Sequence, residues 1–137
     1  MNDLLLDTNI LVYAIDEDSQ FFSKARTLLD KTNQQLYTTS KNLTEFLAVT
    51  TRGQNAPLSV HEALTVVDDY ITSLNILFPN TQSLSILREL ISKYHPTGLK
   101  MHDFDIISIA LAHKVSQIAT FDIRGFRQVE EIEVISV

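Results

Sequence analysis

Apolar and polar positions along this chain switch between a period suited to strands and one suited to helices, and the switches mark its elements. Residues 3–7 carry Leu4, Leu5 and Leu6 in an unbroken run. That is too continuous for a half-exposed strand and fits one buried on both faces. From Asp18 or Ser19 to about Lys31, Phe21, Phe22, Ala25, Leu28 and Leu29 recur at helical spacing. Residues 35–39 read as a second short strand, and residues 42–52 as a helix with Leu43, Phe46, Leu47 and Val49 apolar. The loop 53–57 ends in Pro57, ahead of a helix starting at Ser59. This helix sets Val60, Ala63, Leu64, Val67, Tyr70 and Ile71 on one face. Residues 74–78 predict a strand closed by Pro79, and residues 81–94 a helix carrying Leu84, Leu87, Leu90 and Ile91. After a loop at 95–102 with Pro96 and Gly98, residues 106–112 are apolar nearly all round, as in a helix buried on most sides. Residues 117–121 and 133–137 give the last strands. Strands alternating with helices predict an α/β fold, with a central, mainly parallel sheet covered by helices on both faces. No linker, repeat or low-complexity tract interrupts the pattern, so residues 1–137 read as one domain.

Composition narrows the chemistry. Hydrophobic residues make up 45% and charged residues 20%, the balance of a globular rather than a disordered chain. With no cysteine, disulfides and thiolate metal sites are excluded, and any metal must be held by oxygen or imidazole. No apolar run reaches the length of a membrane span, and no basic segment followed by an apolar one stands at the start. The expectation is a cytoplasmic protein without membrane contact. A net charge of −6 argues against a passive, nonspecific nucleic-acid binder. It leaves room for an enzyme whose carboxylates are neutralised by bound cations. Gly is scarce, at three residues, so a phosphate-cradling glycine loop is absent.

Four acids stand at the ends of expected elements. Asp7 closes the first strand, amid the apolar residues of LLLDTNIL; Asp122, in TFDIRGF, stands where the strand 118–121 ends; Asp103 opens the buried helix; Glu45 lies in the first turn of its helix. In open α/β sheets the functional crevice lies beyond the carboxyl ends of the strands, so a parallel sheet can bring these acids together. Clustered carboxylates raise one another's pKa values unless a cation is present. Oxygen-only ligation with retained waters suits Mg²⁺ or Mn²⁺.

Each acid also has a purely structural use. Asp7 could open a local turn with Asn9. Glu45 could complete a capping box with Asn42, as Glu62 does with Ser59. Asp103 could be a helix N-cap with Asp105 favouring the dipole, and Asp122 could open the turn that Gly125 completes. His102 and His113 fit a ligand, a base or a structural histidine at a helix end, while His61 and His95 have no partner pattern. Asp68 and Asp69 read as a solvated face, and Glu130, Glu131 and Glu133 as surface acids.

The segments DTNILVYAID, SKNLTEFLAVTTR, HDFDIISIALAHKV and TFDIRGF resemble, in this order, the PIN-domain ribonucleases, most closely the VapC-like toxins of bacterial toxin–antitoxin pairs. The resemblance covers almost the whole chain. It implies that Asp7, Glu45, Asp103 and Asp122 are the four catalytic and metal-binding acids, with Asn9 and Thr120 supporting them by hydrogen bonding. Asp105 lies about 200° round the helix from Asp103, which leaves Asp103 as the ligand and Asp105 in support. Phe104 replaces a frequent alanine, Lys114 a frequent glycine, and Gly125 stands where some members carry a further acid.

The implied activity is metal-dependent hydrolysis of RNA phosphodiester bonds, by an endoribonuclease. One or two Mg²⁺ or Mn²⁺ ions would lower the pKa of a water and offset charge on the phosphate. Lys41, Arg52, Lys100 and Arg124 flank the acidic motifs and are candidate RNA contacts, or else solubilising surface charges. The implied partners are an RNA substrate, a cognate antitoxin and a second copy in a homodimer. One competing reading is a catalytically silent PIN-like module that binds RNA or protein. Another is a phosphotransfer receiver-type domain, but Asp7-Thr8-Asn9 lacks the second acid that such a site needs.

Overall fold

The computed structural model describes residues 3–30 and 33–137. Five parallel strands run β1 (Asp3–Leu6), β2 (Gln35–Thr39), β3 (Asn75–Leu77), β4 (Gln117–Thr120) and β5 (Glu133–Ser136), in the spatial order β3-β2-β1-β4-β5. The helices are α1 (Thr8–Tyr13), α2 (Phe22–Leu29), α3 (Ser40–Thr50), α4 (Val60–Ser73), α5 (Thr81–Tyr94) and α6 (Lys100–Ala112). A 3-10 turn, Ile123–Gly125, follows β4.

The leucine run of β1 explains the layering. Alternate side chains of a strand point to opposite faces. Leu4 and Leu6 join a core with Ile10, Leu11, Leu43, Phe46 and Tyr70, beneath α1–α4. Leu5 joins the other core with Leu90, Phe104, Ile107 and Ile109, beneath α5 and α6. The expected α/β sandwich, a parallel sheet with helices on both faces, is therefore the fold. The hydroxyl of Tyr70 donates to the carbonyl of Leu11 at 2.6 Å and ties α4 to α1. Its burial pushes the phenol pKa well above the ordinary value.

Several boundaries differ from the sequence expectation. Residues 8–13, to which the sequence pattern assigns no element, form the short helix α1. The expected helix from 18 or 19 to 31 is α2 over Phe22–Leu29; Lys31 lies outside the described residues. Helix α3 starts at Ser40, because Thr39 and Asn42 cap it reciprocally; the expected Asn42–Glu45 box does not form, and Glu45 falls in the second turn. The Ser59–Glu62 box does form. Helix α6 begins at Lys100 and absorbs part of the expected loop, so Asp103 sits inside its first turn rather than capping it. On α4 the apolar arc is wider than the contact it makes: Ala63, Val67 and Tyr70 are buried, while Val60, Leu64 and Ile71 are exposed. No helix among the described residues is long and apolar enough to cross a membrane.

Candidate active site

From β1 the chain order proceeds one way through β2 and β3 and the other way through β4 and β5, so β1 and β4 flank the switch point. In such sheets the functional crevice lies beyond the carboxyl ends of these two strands. Both ends carry acids. Asp7 follows β1 directly, and its backbone N–H donates to the Ala119 carbonyl of β4 at 3.0 Å. Asp122 follows β4 after one residue.

Asp7 is buried, at 9% exposure, and both carboxylate oxygens are held. Oδ1 accepts from the Thr8 N–H at 2.8 Å, capping α1, and Oδ2 accepts from the Thr120 hydroxyl at 2.8 Å. The Thr120 oxygen in turn accepts from Asn9 Nδ2 at 3.1 Å and from the Asp122 N–H at 3.0 Å. A hydroxyl has one proton and two lone pairs, so Thr120 is fully used. Asn9 Oδ1 receives the Phe121 N–H at 3.3 Å. Asp7, Asn9, Thr120 and the backbone of Asp122 thus form one hydrogen-bonded unit.

A second chain of bonds comes from β2. Asn42, fully buried, accepts from Thr39 through Oδ1 and donates from Nδ2 to Thr8 Oγ1 at 3.0 Å. It locks the start of α3 against the start of α1 and so sets the rotation that carries Glu45. The sequence pattern presents Asn42 only as the capping-box partner of Glu45 and gives Thr8 no role. The signal available was Thr39-x-x-Asn42 at capping-box spacing, directly after a strand.

Helix α6 supplies Asp103 from the other side of the sheet. Burial is the main cause that raises its carboxyl from an ordinary 3.8 to about 6. Negative charge on Asp7, Glu45 and Asp122 adds to the rise, and Lys100 opposes it. Asp7 is raised too, again first by burial and then by Glu45 and Asp122, against the Thr120 and Thr8 hydrogen bonds. All four sequence-selected acids are therefore close enough to repel one another. Gly125 approaches Asp103 so closely that a Cβ built on it would stand 3.0 Å from Asp103 Oδ2. The loop can close against this carboxylate because that position has no side chain. No three His, Asp or Glu side chains among the described residues stand as a ready-made cage for one ion. The donor set is all oxygen and over-supplied with negative charge, with Asp7 buried, Asp103 partly buried and Glu45 and Asp122 exposed, which fits a hydrated Mg²⁺ or Mn²⁺ better than a tightly caged ion.

The flanking cations divide. Lys100 lies beside Asp103. Lys41 pairs with Asp105 at 3.2 Å, and Arg124 Nε reaches Asp122 Oδ1 at 3.8 Å in an exposed pair. Arg52 lies just past the C-terminal end of α3, beyond its C-cap Thr51, and is exposed. His102 borders the cavity that contains Glu45, Lys41 and Asp105. His113 instead contacts the Phe78 carbonyl at 3.1 Å on the surface, a structural use.

The PIN-domain family model matches residues 4–132 of this chain. The protein belongs to the PIN-domain family. In fold this PIN domain is similar to VapBC2 from Rickettsia felis bound to a promoter DNA fragment, at TM-score 0.76 and 21% identity over 98% of both chains. It is also similar to DNA-bound VapBC from Salmonella typhimurium, at TM-score 0.71 and 21% identity over 99% of this chain and 98% of that one. The sarcin–ricin-loop-cleaving toxin VapC20 of Mycobacterium tuberculosis matches at TM-score 0.73 and 11% identity, over 95% of this chain and 98% of that one. No curated protein matches the PIN domain in sequence.

Proposed function

We propose that this PIN-domain protein is a divalent-metal-dependent ribonuclease that cuts RNA internally, the toxin of a toxin–antitoxin pair. The observation that supports the reading is that Asp7, Glu45, Asp103 and Asp122 influence one another electrostatically at the switch point of the sheet: the carboxyls of Asp7 and Asp103 are raised first by burial and further by the neighbouring acids. Such mutual repulsion is costly to a fold unless a cation uses it. Similarity to VapBC assemblies and to an RNA-cleaving toxin supports the same reading.

Asp7, Glu45, Asp103 and Asp122 would hold Mg²⁺ or Mn²⁺, which supplies Lewis-acid charge for the phosphate and lowers the pKa of a water. The remaining steps belong to the chain. Thr120 and Thr8 fix the Asp7 carboxylate in one orientation and leave its outward lone pairs free. Asn9, by bonding both Thr120 and the Phe121 N–H, holds the strand end that carries Asp122. Asp103 keeps a proton up to about pH 6 and must release it before it can act as a ligand. Lys100 offers positive charge to the RNA backbone near the acids.

A small antitoxin and a second copy of the chain are the proposed protein partners. Val60, Leu64 and Ile71, exposed along one side of α4, supply apolar surface for such contacts. The direct test is incubation of the purified protein with cellular RNA in Mg²⁺, Mn²⁺ or EDTA. Cleavage that EDTA abolishes and Asp103→Asn cripples supports the reading. Indifference to both overturns it and favours a silent binding module.

A further inference from the structure

A surface cavity of about 330 Å³ opens between helices α3 and α6 immediately beside the acid cluster. Glu45 borders both. Ala48 and Ile106 give the cavity apolar walls, and His102 adds an aromatic ring at its edge. Across it stand Lys41 and Asp105, with Nζ 3.2 Å from Oδ2. The Asp105 side chain is 24% exposed and that of Lys41 50%, so the carboxylate is the more enclosed of the two. On α6, Asp103 and Asp105 are separated by about 200°, so one acid serves the cluster and the other faces α3. As a surface ion pair, Lys41–Asp105 contributes little to stability. Its chemical value lies in placing two acceptor oxygens directly beside a cationic donor, between walls suited to the face of a base.

We propose that this cavity is a nucleobase subsite that selects guanine in single-stranded RNA, at a nucleotide next to the cleaved bond. The inference rests on the ribonuclease reading and names what that site recognises. Unpaired RNA bases are read by stacking and by hydrogen bonds to their Watson–Crick edges. Guanine presents two neighbouring donors there, N1–H and N2–H, beside the O6 acceptor. Asp105 accepts from both donors and Lys41 donates to O6. Adenine, cytosine and uracil each offer only one donor group on that edge, so one carboxylate oxygen is left without a partner. A partly enclosed carboxylate that loses one of its two partners binds the wrong base less well. The cavity volume lies at the small end of ligand pockets, as one base requires.

The test measures binding and cleavage on the same preparations. Fluorescein-labelled UUGUU, UUAUU, UUCUU and UUUUU are titrated by anisotropy with Ca²⁺ in place of Mg²⁺, using wild type, Asp105→Asn and Lys41→Met. Wild type should bind the guanine oligonucleotide about tenfold more tightly than the others. Asp105→Asn, isosteric with the native residue, should bring that ratio close to one; Lys41→Met should reduce the ratio less. Melting curves check that both variants fold. A ratio near one in wild type, or one kept by Asp105→Asn, overturns the subsite. Cleavage of the same RNAs in Mg²⁺ separates the two ideas. Guanine preference without cutting removes the ribonuclease reading and leaves the subsite, whereas cutting without preference does the reverse.

Discussion

The hydroxyl of Thr120 donates to Asp7 Oδ2 at 2.8 Å, joining the end of β4 to the end of β1. Because the same oxygen accepts from Asn9 and from the Asp122 N–H, one threonine orients both strand-end acids.

Thr120→Val keeps the shape and removes the bonds. Two donors and one carboxylate oxygen lose their partner in a buried setting, which should cost about 1–3 kcal/mol of stability. RNA cleavage should fall more than tenfold, since Asp7 and Asp122 lose their common anchor. Thr120→Ser should retain most of both properties. Denaturant titration and cleavage rates on one substrate check this pair.

The raised carboxyls make metal-free stability depend on pH. Folded Asp103 binds its proton more tightly than the unfolded chain does, as does Asp7. The stability that these protons confer is complete below about pH 4 and is lost as the pH rises through about 6. The full Asp103 shift corresponds to about 3 kcal/mol, reduced to about 1 kcal/mol by the partial exposure of the carboxylate. In EDTA, Asp103→Asn should therefore melt a few degrees above wild type at about pH 7.5. The gap should close as the pH falls to about 5. Scanning calorimetry at several pH values reads it directly.

A divalent ion should reverse the same repulsion. Saturating Mg²⁺ or Mn²⁺ should raise the melting temperature, by an amount equivalent to about 2–3 kcal/mol at a hundredfold excess over Kd. The rise should be larger at about pH 7.5 than at about pH 5, where the Asp103 proton competes with the ion. Asp7→Asn should lose most of it. A thermal shift that is absent in wild type, or equal in Asp7→Asn, contradicts the assignment of these acids as ligands.

Lys114 adopts φ +62°, a left-handed conformation unfavourable to a residue with a Cβ. This is the position where the resemblance to VapC-like chains leads one to expect glycine. Lys114→Gly should stabilise the fold by about 0.5–1 kcal/mol and leave RNA cleavage unchanged. Equilibrium unfolding of the two proteins settles the sign.

The sheet and its order of elements were legible because β1 carries leucines on both faces and α5 keeps a clean helical period. Residues 35–39 and 81–94 were bounded correctly for the same reason. Helix α1 was not legible: six residues between a buried strand and a loop give too little periodicity to separate helix from strand. The start of α3 was misplaced because its capping pair, Thr39 and Asn42, overlapped a second plausible pair, Asn42 and Glu45. The four acids were visible as strand-end and helix-start residues, yet their mutual influence depends on a parallel sheet that brings positions 7 and 122 side by side. Arg52 flanks an acidic motif in sequence, but α3 starts at the strand end and Arg52 lies past the helix's other end. Sequence proximity cannot report the direction in which a helix runs.

The most direct test of the account is cleavage of total cellular RNA with 5′ ends mapped, comparing wild type with Asp7→Asn in Mg²⁺ or Mn²⁺ and again with chelator. Discrete internal cuts that vanish with chelator and with Asp7→Asn are the predicted result. Cuts that persist in Asp7→Asn, or that need no divalent ion, would contradict a metal-dependent ribonuclease centred on the acids at the ends of β1 and β4.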